Sequence, residues 1–475
     1  MQKVYQDCYE LDKKCYEAYG LTEDILMEHA AAGMASYIRK HFELGSSVCI
    51  VAGKGNNGAD GIVLARQLYG DYSVVLSVPF GVKSDMAKVQ LDRAEHLGIK
   101  VSAELTDANV IVDALLGAGL NKPLDESTEH FIHQLNSFKG HKIACDVPTG
   151  VGENGLMPLT LASNVFFADV TLTMGARTEA LYLDENKDAV GKIECIDLGV
   201  SSMFYEGEST TYLLESSDLV LPSRTKQNSH KGSFGHAAVF CGEKEGAGII
   251  AGMASASFGA GLTTLVVHER ISPPAYLMHS TVVPDNTTAL AIGMGLGGYF
   301  ESDFLQKYVL NSHLPIVLDA DAFLSKELLS ILEQKDREIV ITPHPKEFVI
   351  LWKILTGTQL TVTQVQSKRF EMVRMFNEKY PHVTLLLKGA NTLIMQEEQL
   401  YINPLGCSKL SKGGSGDVLS GLIVSLLAQG YTGLDAAIQG SLALVMAANN
   451  YEGASYAMLP TDIIDEVARL ESYIN

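Results

Sequence analysis

Residues 47–68, SVCIVAGKGNNGADGIVLARQL, decide the fold of the first half of this chain. The first six residues are mainly apolar, a glycine-rich turn follows them, and apolar residues then recur at helical spacing over 58–68. A buried strand, a tight turn and a helix in this order form the start of a βαβ unit, whose strands pair in parallel. The segment therefore predicts a parallel sheet with helices packed on its faces.

The same alternation of strands and helices runs through two parts of the chain. In the first part, strands are predicted at 48–52, 73–78, 110–113, 143–145, 168–174 and 192–197, and helices at 25–42, 58–68, 86–97 and 129–138. In the second part, strands are predicted at 237–241, 262–267, 316–319, 338–341 and 383–387, and helices at 248–258, 362–378, 418–428 and 434–449. The pattern is lost over 199–223, a stretch rich in Ser, Glu and Thr. We therefore predict two α/β domains, at 1–210 and 219–475.

Composition and charge disfavour several classes of protein. The 475 residues include 36 basic and 56 acidic ones, a formal net charge of −20, which disfavours binding to nucleic acid or anionic membranes but not to a nucleotide. The seven cysteines are scattered and form no CxxC pair, as is typical of reduced core residues in a cytoplasmic protein. The start of the chain is charged and polar, and no apolar run reaches the roughly 18 residues of a membrane span. We expect a cytoplasmic protein without a signal peptide.

The turn GKGNNGADG at 53–61 contains the G-x-G-x-x-G pattern of dinucleotide-binding dehydrogenases. That pattern also requires a carboxylate at the end of the next strand, where it binds the ribose. Residues 76–80, LSVPF, end that strand without a carboxylate. The dehydrogenase interpretation is therefore disfavoured, and the polar side chains crowded into the turn need another role.

Two further predicted strands end in an aspartate. Asp113 precedes the loop ALLGAGL, and Asp146 precedes VPTG. Because the carboxyl ends of parallel strands converge on one crevice, Asn57, Asp113, Asp146 and Thr149 are expected to face a common site. Their amide, carboxylate and hydroxyl oxygens suit an alkali or alkaline-earth cation rather than zinc. Each aspartate alone is more commonly a helix cap or turn residue, so the recurrence at strand ends carries the functional interpretation.

These motifs resemble those of the NAD(P)H-hydrate epimerase family, whose signature runs G-x-G-N-N-G-G-D-G, D-A-L-L-G-x-G-L and D-[IV]-P-[ST]-G in this order. The resemblance covers about residues 1–207 and implies a Rossmann-like domain that interconverts the R and S forms of hydrated NAD(P)H. It implies that Asp146 lies at the reacting ring and that Asn57, Asp113 and Thr149 bind potassium. It further implies that the hydrated dinucleotide is held by Asp146 together with Asn56, Asn57, Gly58, Ala59, Asp60, Gly117, Ala118, Gly119, Leu120, Asn121, Lys122 and Pro123.

Two positions depart from the pattern of that family. Ala59 replaces a glycine, so we expect a slightly more crowded backbone on the ligand side. His29, in the sequence MEHA, stands where the family usually has asparagine. Neither change removes a proposed catalytic group, but His29 is a candidate for altered ligand contacts or added pH sensitivity.

A second glycine-rich segment, KGGSGDVLSG at 412–421, combines glycines, one carboxylate and the start of an apolar helical pattern. Glycines let the backbone approach a ligand closely, and a helix start offers free N–H groups and a positive dipole end, so a phosphate is the natural occupant. Asp417 would repel that phosphate unless it has a role, and the obvious role is to take a proton from a hydroxyl during phosphoryl transfer. Glycine-rich loops followed by aspartate also form ordinary helix N-termini.

Five shorter motifs accompany this segment in the second domain. They are HKGSFG at 230–235, GMGLG at 293–297, DADA at 319–322, TPHPKE at 342–347 and KGANT at 388–392. Each one has a structural explanation when taken singly, such as a solvated lysine or a capped turn. Together they supply cations, glycines and a carboxylate for a nucleotide polyphosphate and a second ligand.

The ordered set K-G-S-F-G-H, G-x-G-L-G, T-P-H-P-x-E, K-G-x-x-T and G-G-[ST]-G-D resembles the ribokinase-like superfamily and, more narrowly, the nucleotide-dependent NAD(P)H-hydrate dehydratases. The resemblance spans about 219–475. It implies that the hydrated nicotinamide is contacted by Gly261, Gly297, His344 and Asp417. It implies that ADP, with magnesium, is contacted by Lys388, Gly389, Ala390, Asn391, Thr392 and Gly416. Ser415 is often threonine in the family and keeps the hydroxyl, whereas Lys346 replaces a residue that is often glycine.

The two resemblances together imply a bifunctional repair enzyme with two three-layer α/β/α domains, Rossmann-like and then ribokinase-like. The first domain is expected to epimerise NADHX and NADPHX, the hydrated reduced cofactors, and the second to dehydrate the S epimer with ADP as phosphoryl donor. Asp146 and Asp417 are the predicted catalytic residues, and we also expect a homo-oligomer. The motifs alone indicate only a nucleotide, so ADP comes from the resemblance. Two alternatives stay open: a small-molecule kinase joined to a binding domain, and a non-catalytic nucleotide sensor.

Overall fold

A computed structural model describes residues 1–120, 122–152, 165–298 and 302–474. It contains two compact units, one formed by 3–209 and the other by 1–2 together with 210–475. The segment 211–218, which the sequence analysis left between the two domains, contributes the strand Thr211–Leu213 to the sheet of the second unit. The first residue also belongs to that unit, because the amino group of Met1 donates a hydrogen bond to Asp218 (3.0 Å).

The N-terminal unit is built around a seven-stranded parallel sheet. Its seven strands are β2 (Ser47–Ala52), β3 (Ser73–Ser77), β4 (Val101–Ser102), β5 (Val110–Ala114), β6 (His141–Cys145), β7 (Val170–Met174) and β9 (Lys192–Ile196). Two short strands, β1 (Gln2–Tyr5) and β8 (Arg177–Thr178), pair with each other outside this sheet. Its helices are α1 (Tyr9–Tyr19), α2 (Glu23–His41), α3 (Asn56–Leu68), α4 (Asp85–His96), α5 (Glu126–Ser137), α6 (Lys187–Val190) and α7 (Ser202–Tyr205). The sheet order β4-β3-β2-β5-β6-β7-β9 is Rossmann-like, with the reversal between β2 and β5.

The central strands of this unit are buried on both faces, which explains their continuous apolar sequences. On one face, Val48, Ile50 and Ala52 of β2 pack with the apolar sides of α2, α3 and α4. On the other face, Cys49 and Val51 pack with α5. The predicted three-layer α/β/α arrangement is therefore confirmed in this unit.

The C-terminal unit contains a larger, mostly parallel sheet. Its strands are β10 (Thr211–Leu213), β11 (His236–Cys241), β12 (Leu262–Val267), β13 (Met278–Ser280), β14 (Ala289–Ile292), β15 (Ile316–Leu318), β16 (Ile339–Ile341), β17 (Val383–Leu387), β18 (Thr392–Gln396) and β19 (Gln399–Asn403). Its helices are α8 (Glu245–Ser257), α9 (Ser302–Leu305), α10 (Leu328–Leu332), α11 (Pro345–Thr356), α12 (Val362–Ser367), α13 (Arg369–Lys379), α14 (Ser415–Ala428), α15 (Gly433–Asn450), α16 (Pro460–Val467) and α17 (Glu471–Ile474). The strand order is β13-β12-β11-β14-β15-β16-β17-β18-β19-β10, and only β18 runs antiparallel to its neighbours.

Helix α14 forms the centre of the C-terminal core. Every residue from 418 to 428 is buried, and the helix packs on α8, α15 and the strands β11, β14 and β15. A helix that is apolar all round is expected inside a large core, so the apolar sequence after Asp417 explains this position. Neither α14 nor any other helix in the described ranges has the length and apolar content needed to cross a membrane.

The predicted elements agree best with the observed ones where apolar and β-branched residues follow one another without interruption. The strands Leu262–Val267 and Val383–Leu387, for example, have the predicted bounds. The single helix predicted at 362–378 is wrong, because the backbone leaves the helical region at Lys368 (φ −120°, ψ 30°) and separates α12 from α13. No glycine or proline marks this break in the sequence. The sequence analysis also missed α1, α11 and the β18–β19 hairpin.

Candidate active sites

The first candidate site lies where the strand order of the N-terminal sheet reverses, between the carboxyl ends of β2 and β5. A Cβ atom at Gly58 would lie 2.0 Å from the carbonyl oxygen of Gly53, and one at Gly53 would lie 1.8 Å from that of Leu115. Only glycine permits this approach, which brings the loop after β2 against the loop after β5. The crevice that parallel sheets form at such a reversal is therefore bounded by the predicted motifs.

Asp113 and Thr149 form the buried floor of this crevice. Neither side chain has exposed surface. The Asp113 carboxylate accepts hydrogen bonds from the Thr149 backbone N–H (2.7 Å), the Thr149 hydroxyl (2.8 Å) and the Leu115 backbone N–H (3.1 Å). Burial outweighs these bonds and raises the pKa of Asp113 to about 6. Within the described ranges, no lysine or arginine forms an ion pair with this carboxylate.

Asn57, the second residue of α3, lies beside the same loops. A Cβ atom at Gly117 would lie 3.3 Å from the Asn57 side chain and 3.3 Å from Oδ2 of Asp146, so these three residues adjoin. Both amide atoms of Asn57 are buried without a hydrogen-bond partner among the described residues. A buried polar group that stays unpaired costs about 1–3 kcal/mol, so this amide indicates a ligand in the crevice.

Asp146 follows β6 in a backbone conformation that is rare for residues other than glycine. Its φ of +67° lies in the left-handed region. The carboxylate accepts long hydrogen bonds from the Thr173 hydroxyl and the Met174 backbone N–H, both 3.4 Å, and another from the backbone N–H of Ala118. Burial raises the pKa of Asp146 above its ordinary value. Such backbone strain costs about 1–3 kcal/mol and is found mainly at functional sites, which supports the predicted catalytic position.

Two more carboxylates lie near Asp146. Burial raises the pKa of Asp60 well above its usual range, and the charges of Asp146 and Asp12 add to the effect. Asp12, on α1, accepts a hydrogen bond from the buried Tyr205 hydroxyl (2.8 Å), and burial raises its pKa as well. The sequence analysis proposed Asp60 but missed Asp12, because the polar segment before residue 20 shows no apolar periodicity that would place it on the core.

Four further residues predicted to bind the dinucleotide, Asn56, Gly119, Lys122 and Pro123, are exposed on the surface of this unit. The Asn56 amide donates a hydrogen bond to Glu23. Gly119, Lys122 and Pro123 are exposed, which suits contacts with a large polar ligand. Asn121, proposed for the same role, lies outside the described residues.

The structure changes the interpretation of the two departures from the epimerase pattern. The Ala59 side chain is fully buried in the core under α3, so the expectation that it crowds the ligand side is wrong. The His29 ring packs over Gly199, where a Cβ atom would lie 2.5 Å from it. His29 is therefore tied to a loop contact within its own unit.

The second candidate site lies at the N-terminus of α14. Gly414 precedes the helix with φ +96°, and a Cβ atom there would lie 2.4 Å from Cγ of Pro460, so this position requires glycine. The Ser415 hydroxyl donates hydrogen bonds to the carbonyl oxygens of Leu410 (2.9 Å) and Lys412 (3.0 Å). The loop is therefore held in front of the helix, whose first N–H groups lack intrahelical acceptors and suit an anion.

A lysine and an aspartate from two strand ends meet beside this helix. Lys388 follows β17 and Asp319 follows β15, and their side chains form an ion pair with a Nζ–Oδ1 distance of 2.6 Å. Asp319 is only 2% exposed, and its second oxygen accepts a hydrogen bond from the Ser420 hydroxyl (2.9 Å). A Cβ atom at Gly416 would lie 3.3 Å from Nζ of Lys388. The ammonium group predicted to contact ADP thus lies next to the predicted phosphate loop.

Asp417 occupies the first turn of α14 within this charged group. Burial raises the pKa of Asp417 to about 6, the charges of Asp319 and Glu347 also raise it, and Lys388 lowers it. Burial likewise raises the pKa of Glu347. A carboxylate with a pKa near 6 is mostly ionised at neutral pH but accepts a proton more readily than an ordinary aspartate, which suits a general base.

His344 is oriented by the start of α11. Its Nδ1 accepts hydrogen bonds from the backbone N–H groups of Lys346 (3.1 Å) and Glu347 (3.2 Å), and its Nε2 lies 3.3 Å from the Glu347 carboxylate. The Lys346 side chain is exposed, so the replacement of the usual glycine leaves this cap intact. His344 follows β16 at the same edge of the sheet as Lys388, as predicted for a shared site.

The structure does not bring all four predicted nicotinamide contacts together. Gly297 follows β14 at the carboxyl end of the sheet, where the second candidate site lies, and its N–H donates a hydrogen bond to Asp321 (3.0 Å). Gly261 instead precedes β12, at the amino end of the sheet, where the neighbouring Ala260 donates to the Ser425 hydroxyl (3.0 Å). Since Ser425 is eight residues after Asp417 on one helix, about 12 Å separates the two levels. Within one chain, Gly261 therefore lies apart from Gly297, His344 and Asp417.

The turn 388–392, predicted to contact ADP, is anchored by a buried arginine. Arg369, at the start of α13, is 1% exposed and donates hydrogen bonds to the carbonyl oxygens of Lys388 (3.3 Å) and Asn391 (3.0 Å). Gly389 and Ala390 form the exposed tip of the turn. The sequence analysis missed Arg369, because an arginine in a helical pattern is usually solvated.

The two units define a class of protein: a Rossmann-like α/β unit with a carboxylate crevice, followed by an α/β unit in which a glycine loop, a lysine and a buried aspartate are arranged as expected for a phosphoryl-transfer site. Residues 237–469 match the family model described as NAD(P)H-hydrate dehydratase, and residues 23–180 match the one described as YjeF-related protein N-terminus. The chain is 38% identical to the bifunctional NAD(P)H-hydrate repair enzyme Nnr of Helicobacter pylori, over 99% of this chain and 100% of that protein. The chain belongs to the family of bifunctional NAD(P)H-hydrate repair enzymes, which confirms both resemblances.

Another relative and a solved structure are also similar to this chain. The enzyme of the same name from Coxiella burnetii is 33% identical over 98% of each chain. Among solved structures, the ADP/ATP-dependent NAD(P)H-hydrate dehydratase of Bacillus subtilis, co-crystallised with ATP and Mg²⁺, is 26% identical with a TM-score of 0.47, covering 54% of this chain and 95% of that one.

Proposed function

We propose that this chain repairs hydrated nicotinamide cofactors with an NAD(P)HX epimerase in the N-terminal unit and an ADP-dependent NAD(P)HX dehydratase in the C-terminal unit. The observation that carries the proposal is the position of Asp417 in the first turn of α14, beside the Lys388 ammonium and the phosphate loop. A base next to a phosphate site is the arrangement that phosphorylates a hydroxyl. Membership of the repair family identifies that hydroxyl as the one on the hydrated nicotinamide ring.

The dehydration proceeds in two steps in this proposal. Asp417 takes the proton of the ring hydroxyl while the hydroxyl oxygen attacks the β-phosphorus of ADP, and AMP leaves. The phosphate ester then loses inorganic phosphate together with a proton from the adjacent ring carbon, which restores the double bond. Lys388 and the first N–H groups of α14 stabilise the charge on the moving phosphoryl group. The sum is hydrated cofactor plus ADP giving reduced cofactor, AMP and phosphate.

Magnesium is expected to enter this site with the nucleotide. The described residues contain no group of three or more His, Cys, Asp or Glu side chains that would hold a metal ion by themselves. Magnesium in phosphoryl-transfer enzymes is commonly held by substrate phosphates with few protein ligands, so this finding fits a nucleotide-bound ion. When bound, the ion neutralises charge on the phosphates.

The epimerisation is assigned to the crevice around Asp146. Reversing the configuration at the hydroxyl-bearing carbon requires that the hydroxyl leave and return, or that the ring open and close, and both routes move a proton at that oxygen. Asp146 is suited to exchange a proton with this hydroxyl, because burial raises the pKa of its carboxyl group and its Oδ2 lies beside the Gly117 loop. The glycine loops at 53–58 and 117–119 are proposed to hold the rest of the dinucleotide.

Potassium is proposed for the floor of the same crevice. Asn57 has an unpaired buried amide, and Asp113 and Thr149 supply a carboxylate and a hydroxyl oxygen. These hard oxygen donors fit an alkali cation, and the buried Asp113 charge lacks a cationic partner in the described ranges. A bound cation would favour the ionised form of Asp113 and anchor the loops. The homo-oligomer and the cytoplasmic location expected from the sequence stay predictions.

The test is recovery of reduced nicotinamide absorbance from mixed R and S NADHX with ADP, with ATP or without nucleotide. Complete recovery with ADP, faster than spontaneous epimerisation allows, would support both activities. Recovery of only the S half would contradict the epimerase. The absence of recovery with either nucleotide would overturn the proposal and favour the small-molecule kinase or the sensor. A parallel assay with NADPHX measures the preference between the two cofactors.

A further inference from the structure

The dehydratase site contains a buried carboxylate, Asp319, that neither the base nor the phosphate loop explains. Three separate elements bring its neighbours together: Asp319 follows β15, Lys388 follows β17 and Ser420 lies in the second turn of α14. Asp319 Oδ1 accepts from Lys388 Nζ (2.6 Å) and from the Ala320 backbone N–H (2.9 Å), and Oδ2 accepts from the Ser420 hydroxyl (2.9 Å). Both carboxylate oxygens are therefore occupied by donors.

The backbone at this position is also unusual. Ala320 has φ +46°, a left-handed conformation that is unfavourable for a residue with a Cβ atom. The surrounding structure maintains this strain where the Ala320 N–H caps the Asp319 carboxylate. Strain that is kept at one point of a site is a reason to look for a function there.

The consequence of these contacts is the position of the Lys388 ammonium. Lysine is a flexible four-carbon chain that loses rotamer entropy when it is held in one place. Asp319 holds it where a Cβ atom of Gly416 would lie 3.3 Å from Nζ, beside the first turn of α14. A cation that is already in place stabilises a transferring phosphoryl group without reorganisation during the reaction.

Stability alone gives a poor explanation of this buried pair. Taking both charges out of water costs several kcal/mol, and well-packed apolar residues at such positions are often equally or more stable. The pair lies at the edge of the sheet that receives the nucleotide, not in the apolar core between α14 and α8. Its location therefore points to the reaction rather than to folding.

We propose that Asp319 is a positioning residue for the dehydratase reaction, which orients the Lys388 ammonium toward the transferred phosphoryl group while Ser420 orients Asp319. This inference rests on the proposed ADP-dependent dehydration. Asp319 touches neither the hydroxyl nor the phosphate in this assignment and acts only through Lys388. The sequence separation of 69 residues between Asp319 and Lys388 means that the fold itself assembles the pair.

The charges around Asp417 provide a readout that a purely structural role of Asp319 would not change. Asp319 and Glu347 raise the pKa of Asp417, and Lys388 lowers it. Replacing Asp319 with asparagine removes one negative charge, which lowers the pKa of Asp417, and also releases the Lys388 ammonium, which raises it. The acidic limb of the dehydratase pH profile should therefore move to lower pH by less between wild type and D319N than between K388M and D319N/K388M. A purely structural role of Asp319 predicts equal movements in the two comparisons.

The experiment compares D319N, S420A, K388M and the double variant D319N/K388M in the full-length protein, with S-NADHX and ADP. We expect D319N to lower kcat/KM for ADP by about 10- to 100-fold, as a misplaced catalytic group commonly does. S420A should lower it by less, with the wild-type pH profile. If Asp319 acts through Lys388, the double variant should be no slower than K388M.

The matched control is Glu338→Gln. Glu338 accepts a hydrogen bond from the Gly433 backbone N–H (2.7 Å) before β16, at the amino end of the same sheet, and should affect stability without affecting kcat/KM. Losses of activity that multiply in the double variant, with equal movements of the acidic limb in the wild-type and K388M backgrounds, would overturn the inference. If D319N does not fold, S420A and the double variant, which restores neutrality, decide the question. Wild-type protein that fails to convert S-NADHX with either nucleotide would instead contradict the proposed function.

Discussion

The two candidate sites stabilise a buried carboxylate in different ways. Both place buried carboxylates at the carboxyl ends of a parallel sheet. In the N-terminal unit, hydrogen-bond donors surround Asp113, and the described ranges supply it with no lysine or arginine partner. In the C-terminal unit, Asp319 is paired with Lys388 at 2.6 Å.

The difference indicates what each site must obtain from solution. A buried carboxylate without a protein cation is costly to ionise, so the first site is suited to an added cation. The second site carries its own cation next to free helix N–H groups, so it is suited to an anionic phosphate. Two similar sheets are therefore expected to respond to opposite kinds of ion.

The largest expected effect is the loss of dehydratase activity when its proposed base is removed, while the epimerase activity is kept. Asp417→Asn removes the only proton acceptor that we assign to the dehydration, so the rate of NADH recovery from S-NADHX with ADP should fall about 10³-fold. Epimerisation, measured by chromatography of the two NADHX epimers, should be unchanged. An equal loss in both assays would show that the variant disturbs more than the C-terminal site.

The reciprocal variant is Asp146→Asn. It removes the ionisable group that we assign to the ring hydroxyl, so interconversion of R and S NADHX should slow by about 10²-fold or more. Dehydration of pure S-NADHX should keep its wild-type rate. Epimerisation that survives this change would move the catalytic assignment to another carboxylate of the crevice, of which Asp60 and Asp12 are the nearest candidates.

The dehydratase kcat/KM is expected to change about tenfold per pH unit in the range where Asp417 is protonated. The pKa of this group is about 6, and only its ionised form accepts a proton. The dehydratase kcat/KM should therefore be flat near neutral pH and fall about tenfold for each unit below pH 6. Because NADH decomposes in acid, AMP formation is the suitable measurement. A profile that stays flat down to pH 5 would contradict Asp417 as the base.

Thr149→Val should destabilise the N-terminal unit. The change removes the hydroxyl that donates to Asp113 and accepts from the Leu116 N–H (3.0 Å), which should cost about 1–3 kcal/mol in urea unfolding. Thr171→Val is the matched control, because that buried hydroxyl donates to the neutral carbonyl of Val190 (2.7 Å). Equal costs for the two variants would argue against a special role of the Asp113 contact.

The smallest expected effect is stabilisation by potassium. The folded-state pKa of Asp113, about 6, lies above its unfolded value, so ionisation of Asp113 lowers stability as pH rises from about 4 to about 6. Potassium at ten times its Kd should restore about 1.4 kcal/mol at pH 7 and less at pH 5, measured as a shift in Tm. Tetramethylammonium serves as the control cation. A shift that is equal for both cations, or unchanged in Thr149→Val, would contradict the site.

The local architecture was predictable where the signal lies in neighbouring residues. Strands such as Leu262–Val267 consist entirely of leucine and β-branched residues and are largely buried, because both faces of a parallel sheet are covered. Asp417 could be proposed because glycines, a carboxylate and a helix start follow one another in the chain. The break between α12 and α13 was not predictable, since Lys368 leaves the helix without a glycine or proline to signal it.

The sequence by itself determined two α/β units, their glycine loops and the carboxylates at their strand ends, because each of these depends on short-range patterns. Only the tertiary structure decided which distant charges meet. It brought Asp319 to Lys388, buried Arg369 against the turn 388–392 and kept Gly261 at the opposite end of the sheet from Asp417. The physical reason is that desolvation and ion pairing depend on distances in space, and a fold joins or separates residues regardless of their spacing along the chain.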